Sequence, residues 1–118
     1  MATLSVDNQL VMKRILQLCE ALEKDFKRRG NVTVIDYEIQ TGTKYYKIIQ
    51  VDNPGIRYQS RSVHAFVDRQ TGAVYKPASF RAPAKHVRYN LLDDASFEDC
   101  LKRADYTGGY LYMKWDYS

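Results

Sequence analysis

The sequence predicts an α+β fold: a mostly antiparallel sheet of about five strands, with a long N-terminal helix and a short C-terminal helix packed on one face. Residues 7–29 have the apolar spacing of one helix face, and two β-hairpins are predicted over residues 31–51 and 62–76. Strands that follow one another through short turns pair antiparallel. The chain has 118 residues, the length of one domain, so we expect a single unit over residues 1–118.

The N-terminal helix is predicted from the regular recurrence of its apolar residues. These residues are spaced three or four positions apart and are Val11, Ile15, Leu18, Leu22 and Phe26. Arg28 and Arg29 come just before Gly30, where cations complement the exposed carbonyls of a helix end and glycine ends the helix. These two arginines are therefore explained without a ligand.

Two segments rich in β-branched and aromatic residues predict the first hairpin. They are residues 31–39 and 44–51, and Gly42 lies in the turn between them. The second hairpin joins residues 62–67 to residues 73–76 through a turn in which Gly72 can adopt a positive φ. Both hairpins belong to the predicted sheet.

The remaining segments have weaker patterns. Residues 56–60 are compatible with a short strand, and residues 77–92 read as an ordered loop with one turn of helix around 84–89. Asp94 or Ser96 can cap a short helix that runs through Asp105.

The end of the chain alternates between apolar and polar residues. After Gly108 and Gly109, residues 110–117 place Leu111, Met113 and Trp115 on one side. This alternation predicts a terminal strand.

Positive charge is concentrated in one third of the chain. The net charge of the whole sequence is +4. Residues 53–91 hold seven basic residues and one acid, a net charge of +6, whereas residues 1–52 have +1 and residues 92–118 have −3. Such asymmetry is typical of a surface that binds an anionic partner.

The composition of the cationic segment indicates a phosphate-bearing ligand, either nucleic acid or a nucleotide. Arginine binds phosphate bidentately, and interleaved aromatic rings offer stacking platforms for bases. The predicted ligand-binding residues are Arg57, Arg61, Lys76, Ser79, Arg81, Lys85, His86 and Arg88. The predicted stacking residues are Tyr75, Phe80 and Tyr89.

Two other interpretations of the same residues stay open. The arginines could pair within the fold with four acids, which are Asp93, Asp94, Glu98 and Asp99. Alternatively, the cationic surface could bind protein. In a separate hypothesis, other residues, namely Tyr110, Tyr112 and the terminal strand, form an oligomer or host-partner interface.

The sequence favours a binding protein over an enzyme. His86 is the best candidate for a general base, and together with His64 it could support cleavage of RNA. Nucleotide-binding loops, metalloprotease motifs and esterase motifs are missing from the sequence. We therefore expect no cofactor, no metal and no catalytic residue. Cys19 and Cys100 are expected to be buried thiols, and no apolar segment is long enough to predict a membrane span.

Residues 63–90 resemble a segment of small uncharacterised proteins of tailed bacteriophages. The resemblance rests on residues 66–68, Thr71-Gly72, residues 75–79 and residues 82–86, followed by Arg88 and Asn90. It implies a viral source and a location in the cytoplasm of the host bacterium, but it implies no activity. In that setting, a virion structural or host-factor interaction protein and a counter-defence protein that sequesters a nucleotide signal are alternatives to nucleic-acid binding.

Overall fold

The computed structural model describes residues 6–31, 33–55, 57 and 59–112. Two α-helices, five strands and a short 3₁₀ helix make up these residues. In chain order they are α1 (Val6–Arg28), β1 (Ile35–Thr41), β2 (Tyr45–Asp52), β3 (Ser60–Asp68), β4 (Ala73–Tyr75), β5 (Tyr89–Asn90), α2 (Asp94–Arg103) and the 3₁₀ helix (Gly109–Leu111).

The five strands form one antiparallel sheet in the order β1-β2-β3-β4-β5. This architecture confirms the predicted α+β fold. The register between β2 and β3 shifts near the middle of the pair, because Ile48 lies opposite Ala65 while Ile49 lies opposite Val63. His64 is the extra residue of this β-bulge, a feature that re-aims a side chain out of the regular alternation.

The core lies between the helices and one face of the sheet, which we call the inner face. The core consists of the apolar stripe of α1 and of every second residue of the strands, which point toward the helices. Burial of these apolar side chains is the main favourable contribution to folding. Members of this cluster include Val11, Ile15, Leu18 and Leu22 of α1, Tyr46, Ile48, Ala65, Val67 and Val74 of the sheet, and Phe97 and Cys100 of α2. Cys19 and Cys100 are both buried and both free of disulfide bonds, as expected.

Arg14 ties the two helices and β5 together. Its Nη1 atom donates to the carbonyl oxygen of Leu91 at 2.7 Å, and its Nη2 atom donates to Oδ1 of Asp94 at 2.7 Å. Its guanidinium carbon also lies 4.7 Å from the ring centroid of Phe97. Arg14 therefore fixes the start of α2 against α1 through three different contacts.

The N-terminal cap of α2 differs from the predicted one. The side chain of Asp93 accepts from the N–H groups of Ala95 and Ser96, so Asp93 is the cap rather than Asp94 or Ser96. The hydroxyl of Ser96 instead accepts from the N–H of Asn90 at 2.8 Å. Two adjacent acids, Asp93 and Asp94, leave the cap position ambiguous by one residue in the sequence.

The predicted turn of helix around residues 84–89 is wrong. The backbone of this loop pairs back on β4 and on the residue after it. The N–H of Ala84 donates to the carbonyl oxygen of Lys76 at 2.7 Å, and the N–H of Arg88 donates to that of Val74 at 2.7 Å. Pro77 and Pro83 form an isolated antiparallel bridge, and Tyr89 belongs to β5. These hydrogen bonds across the loop occupy the N–H groups of Ala84 and Arg88, so Arg88 cannot donate to the carbonyl of Ala84 as it would in a helical turn.

The prediction of a terminal strand is wrong for its first residues. Tyr110 lies in the 3₁₀ helix, and residues 113–117 lie outside the described part of the chain. Gly108 has a φ of 83°, and the Asp105 carboxylate accepts from the N–H groups of Thr107 and Tyr110. A carboxylate that binds two nearby N–H groups stabilises a turn more than an extended strand.

The short strand predicted over residues 56–60 falls partly outside the described residues. Arg57 lies in a turn, and Ser60 is the first residue of β3. Residues 56 and 58 lie outside the described residues.

Candidate nucleic-acid interface

The fold distributes the predicted binding residues over several surfaces. The sheet face opposite the helices, which we call the outer face, carries Tyr45, Lys47, Phe66 and Tyr75, as the strand register requires. Of the predicted ligand-binding residues, Arg81 lies at this face in the neighbourhood of Lys47. The predicted binding residues within residues 57–88 are close in sequence, but they do not lie on one surface of the folded protein.

A depression of about 240 Å³ lies where the first hairpin turn meets the outer face. The residues that line it include three cations, Lys44, Lys47 and Arg81, together with the rings of Tyr45 and Phe66. None of the described residues that line it is acidic. We call Lys44, Lys47, Phe80 and Arg81 the outer-face patch.

Aromatic rings form the floor beside this patch. Tyr45 makes edge contacts with Phe66 and with Tyr75, at centroid distances of 5.9 Å and 6.0 Å. Such cross-strand aromatic contacts stabilise a sheet. Tyr75, which we predicted as a stacking residue, is half-buried in this cluster and supports the patch from below.

Phe80 and Lys47 face each other across the patch. The Nζ atom of Lys47 lies 4.4 Å from the ring centroid of Phe80 and 5.6 Å from that of Phe66. Phe80 is an exposed aromatic residue, with 51% of its surface accessible. A cation–π contact of this kind holds the ammonium group beside an accessible ring.

A tight turn displays Phe80 and Arg81. The hydroxyl of Ser79 accepts from the N–H groups of Arg81 and Ala82, each at 3.2 Å, and the N–H of Ala78 donates to the carbonyl of Ala82. Ser79, a predicted ligand-binding residue, thus shapes the turn.

Arg61 lies on the same face but has a compensated charge. Its Nη2 atom donates to Oε2 of Glu38 at 2.5 Å. The side-chain hydrogen bond from Arg61 lowers the pKa of Glu38. Arg57 lies in an exposed turn after β2.

Three other predicted residues, Lys76, Arg88 and Tyr89, lie near the segment that follows α2. Lys76 places its Nζ atom 4.5 Å from the ring centroid of Tyr112, and Tyr89 donates its hydroxyl to the carbonyl oxygen of Tyr110. Arg88 is 7% exposed and lines a cleft of mixed charge, whose lining also includes Asp99, Arg103 and Asp105. Lys85 and His86 lie exposed in the loop, where His86 has a φ of 75°.

Three of the four acids that could have neutralised the cationic segment have other contacts in the structure. Asp94 binds Arg14, Asp99 binds Arg103 at 2.8 Å, and Asp93 caps α2. Glu98 is exposed. The best-defined ion pair of the cationic segment is instead that of Arg61 with Glu38.

The two histidines have different environments. His64 is buried on the inner face, and its Nε2 atom lies 2.8 Å from the hydroxyl oxygen of Tyr110. Burial lowers its pKa to about 4, so His64 is neutral at pH 7. The same contact occupies the hydroxyl of Tyr110, one of the two tyrosines predicted for a partner interface; Tyr112, the other, is exposed.

Sequence analysis missed Lys44 and Lys47, which lie in the first hairpin. The available signal was the alternation in β2, which separates Tyr45 and Lys47 from the buried Tyr46 and Ile48. A sum of charges over consecutive residues does not reveal these lysines, because Lys47 and Phe66 are distant in sequence and become neighbours only when β2 pairs with β3.

No three His, Cys, Asp or Glu side chains among the described residues come together as a metal site would require. None of the helices in the described part of the chain is long and apolar enough to cross a membrane.

Comparison with known proteins assigns the chain to a family. No curated protein and no solved structure matches the chain. Residues 3–113, nearly the whole chain, match a family of unknown function, DUF7717, and the protein therefore belongs to the DUF7717 family.

Proposed function

We propose that the protein is a non-enzymatic nucleic-acid-binding protein and that the outer-face patch is its binding surface. The observation that carries this proposal is the contact of Lys47 with the exposed ring of Phe80, beside two further cations and no acid in the lining of the depression. Proteins that bind single-stranded nucleic acid combine cations that track the phosphates with rings on which bases stack. The outer-face patch offers both within one small area.

Beyond the patch, the outer face carries one further predicted cation, Arg61, which lies on the same face as Lys47 by register. Ile49 and Val51, which lie between Lys47 and Arg61 on this face, are buried. A polymer would therefore reach Arg61 only by passing over these covered positions. A phage source and a location in the host bacterial cytoplasm are supported by the resemblance of residues 63–90 alone.

The test is a binding titration with labelled single-stranded DNA, single-stranded RNA and duplex DNA at two salt concentrations. The variant Lys44→Gln/Lys47→Gln/Arg81→Gln should weaken binding and flatten the slope of log K against log salt by about 2, because each lost phosphate contact changes it by roughly 0.7 to 0.9. The matched control is Lys13→Gln/Lys27→Gln/Lys102→Gln, which removes the same charge from exposed helix positions. Equal weakening in both variants would overturn the assignment to the outer face, and no binding at low salt would overturn the function.

A second variant tests stacking separately from charge. Phe80→Ala should lower the affinity for single strands by about fivefold or more, because stacking of a base on an aromatic ring contributes roughly 1–3 kcal/mol. Phe80→Tyr keeps a ring and should bind like the unaltered protein. If Phe80→Ala also binds normally, Phe80 is not a stacking platform.

A further inference from the structure

A second depression, of about 270 Å³, adjoins the depression of the outer-face patch, and we call it the turn-side depression. Both depressions are lined by Thr43 and Lys44, which are exposed residues of the first hairpin turn. The lining of the turn-side depression also includes Asp68, Arg69 and Gln70, at the end of β3 and in the turn after it. The first hairpin turn therefore forms a wall common to the two depressions.

Arg69 is held in place in the turn-side depression. Its Nη1 atom donates to the carbonyl oxygen of Gly42 at 2.7 Å, and its guanidinium carbon lies 5.2 Å from the ring centroid of Tyr46. Both of these groups are uncharged, and Arg69 forms no ion pair with any residue that the structure describes. Its guanidinium group is therefore positioned before a ligand binds, and its charge is not neutralised by these contacts.

Asp68 is the one acid among the described residues that line the turn-side depression. Its Oδ1 atom accepts from the N–H groups of Gln70 and Thr71, at 2.8 Å and 2.9 Å. Burial alone would raise the pKa of Asp68, but these hydrogen bonds and the nearby charge of Lys44 lower it. The carboxylate thus stabilises the turn, and the two cations, Lys44 and Arg69, leave the lining with a net charge of +1.

Three cations follow one another from the outer-face patch to the turn-side depression. The N–H of Arg69 donates to the carbonyl oxygen of Lys44 at 3.0 Å, so these two residues are neighbours at the end of the sheet. Lys44 and Lys47 are separated by about 10 Å of extended chain, at roughly 3.3 Å per residue. A ligand that extends from Lys47 toward the hairpin turn by this distance reaches Lys44 and Arg69.

The opposite direction along the sheet offers less to a phosphate group. Ile49 and Val51 are buried there, and Arg61 is paired with Glu38. Contacts between cations and phosphates dominate the affinity of proteins for nucleic acids. A polymer therefore gains more on the hairpin-turn side of the patch.

We infer that the nucleic acid crosses the first hairpin turn, with one phosphate group on the outer-face patch and another beside Arg69, Lys44 and the hydroxyl of Thr43. The inference rests on the proposed function and adds a second phosphate site to it. A guanidinium group carries several N–H donors, so donors remain for a phosphate beside the one that Gly42 uses.

The geometry also selects a single strand over a duplex. Tyr46, against which Arg69 packs, belongs to the inner face, so the path leaves the outer face and bends around the end of the sheet. This bend takes place within about 10 Å, whereas duplex DNA has a persistence length of about 50 nm. A single strand can follow such a path and a duplex cannot.

The experiment is a titration of the full chain with a labelled mixed-sequence DNA strand of about twelve nucleotides and with its duplex, at two salt concentrations. Arg69→Gln should lower the affinity for the single strand several-fold at low salt. It should also reduce the slope of log K against log salt by about 0.7, the value for one phosphate contact of a single strand. Any duplex binding should be unaltered. Lys13→Gln is the matched control, because it removes the same charge from an exposed position of α1 and should change neither ligand's affinity.

Further variants separate the charge of Arg69 from its structural contact with Gly42. Arg69→Lys keeps the charge and should keep the salt slope. Thr43→Asp leaves Arg69 in place but puts a negative charge on the path, so it should weaken single-strand binding. Thr33→Asp, at an exposed position before β1, is its control and should weaken binding less.

The outcomes distinguish this inference from the proposed function. An unchanged slope in Arg69→Gln, or equal effects of Thr43→Asp and Thr33→Asp, would overturn the crossing. If the triple variant of the outer-face patch still weakens binding in that case, the proposed function stands without it. An equal loss for duplex and single strand in Arg69→Gln would contradict the single-strand path, and no binding of single strands at low salt would overturn both proposals.

Discussion

The Nε2 atom of His64 is hydrogen bonded to the hydroxyl of Tyr110 at 2.8 Å, across 46 positions of sequence. This bond joins the bulge of β3 to the 3₁₀ helix and connects the sheet to the segment that follows α2. Burial raises the pKa of the Tyr110 hydroxyl and lowers that of His64, so both groups are uncharged at pH 7. The contact is thus a neutral hydrogen bond inside the core.

The first prediction concerns stability between pH 7 and pH 4. The pKa of His64 is about 4 in the folded protein, below the value of about 6.5 for histidine in an unfolded chain. The unfolded state therefore binds the proton first, and stability falls as pH decreases through this window. We expect this residue alone to cost about 3 kcal/mol of unfolding free energy between pH 7 and pH 4.

Urea unfolding at several pH values would measure this effect. His64→Gln cannot titrate and should lose that part of the pH dependence. His86→Asn, at the exposed loop position, should retain it. The same slope in His64→Gln as in the unaltered protein would contradict the assignment, and Asp105, whose charge opposes the shift, would be the next residue to vary.

The second prediction concerns Asp25, a buried carboxylate at the end of α1. Burial alone would raise its pKa, but hydrogen bonds from the Tyr106 N–H and from Arg28 and Arg29 outweigh burial and lower it. Its contribution to stability is therefore present above the unfolded pKa of about 3.9 and is lost as pH falls through the lower folded value. This window lies below that of His64.

Asp25→Asn should lower the unfolding free energy at pH 7 by about 2 kcal/mol, because buried hydrogen bonds to a charged acceptor are replaced by weaker ones. The difference from the unaltered protein should shrink as pH decreases below about 4. Asp99→Asn is the control, since its pair with Arg103 is solvent-exposed and should contribute less than about 1 kcal/mol. A constant difference at all pH values would show that the charge of Asp25 is not responsible.

Local patterns in the sequence predicted the helices and hairpins, because these elements depend on neighbouring residues. The stripe from Val11 to Leu22 is buried as its spacing indicated. The outer-face patch depends instead on the pairing of Lys47 with Phe66 and on the turn that carries Phe80. Neither contact can be inferred from the number of charged or aromatic residues in a segment of the sequence. The alternation after Gly109 was misleading at Tyr110 for a similar reason: the carboxylate of Asp105 accepts a hydrogen bond from the N–H of Tyr110.

The third prediction concerns Gly72, which the sequence placed in the turn of the second hairpin. Gly72 has a φ of 76°, and an added Cβ would lie 3.0 Å from Cγ of Leu92 and 3.1 Å from its backbone nitrogen. Gly72→Ala should therefore destabilise the protein by about 3 kcal/mol, from backbone strain and steric overlap together. Gly30→Ala isolates the strain, because Gly30 has a φ of 79° with nothing within 4 Å of an added Cβ. Gly30→Ala should lower the unfolding free energy by about 1 kcal/mol. If thermal unfolding shows equal destabilisation of Gly30→Ala and Gly72→Ala, the steric overlap at Gly72 is refuted.

The last prediction concerns Glu38, which compensates Arg61 on the outer face. Glu38→Gln removes this ion pair at little cost in stability, because water and salt weaken the attraction between exposed charges. If a nucleic acid extends along β2 and β3 from the outer-face patch, the released guanidinium should add one phosphate contact. Affinity for single strands at low salt should then rise several-fold, and the slope of log K against log salt should steepen by up to about 0.9.

Two controls separate this contact from a general change in charge. Glu20→Gln removes the same charge from α1 and should leave the salt slope unaltered. The double variant Glu38→Gln/Arg61→Gln should return affinity to its original level, because the added contact requires the arginine. If the double variant binds as tightly as Glu38→Gln, the gain comes from lost repulsion at Glu38, and the ligand does not reach Arg61.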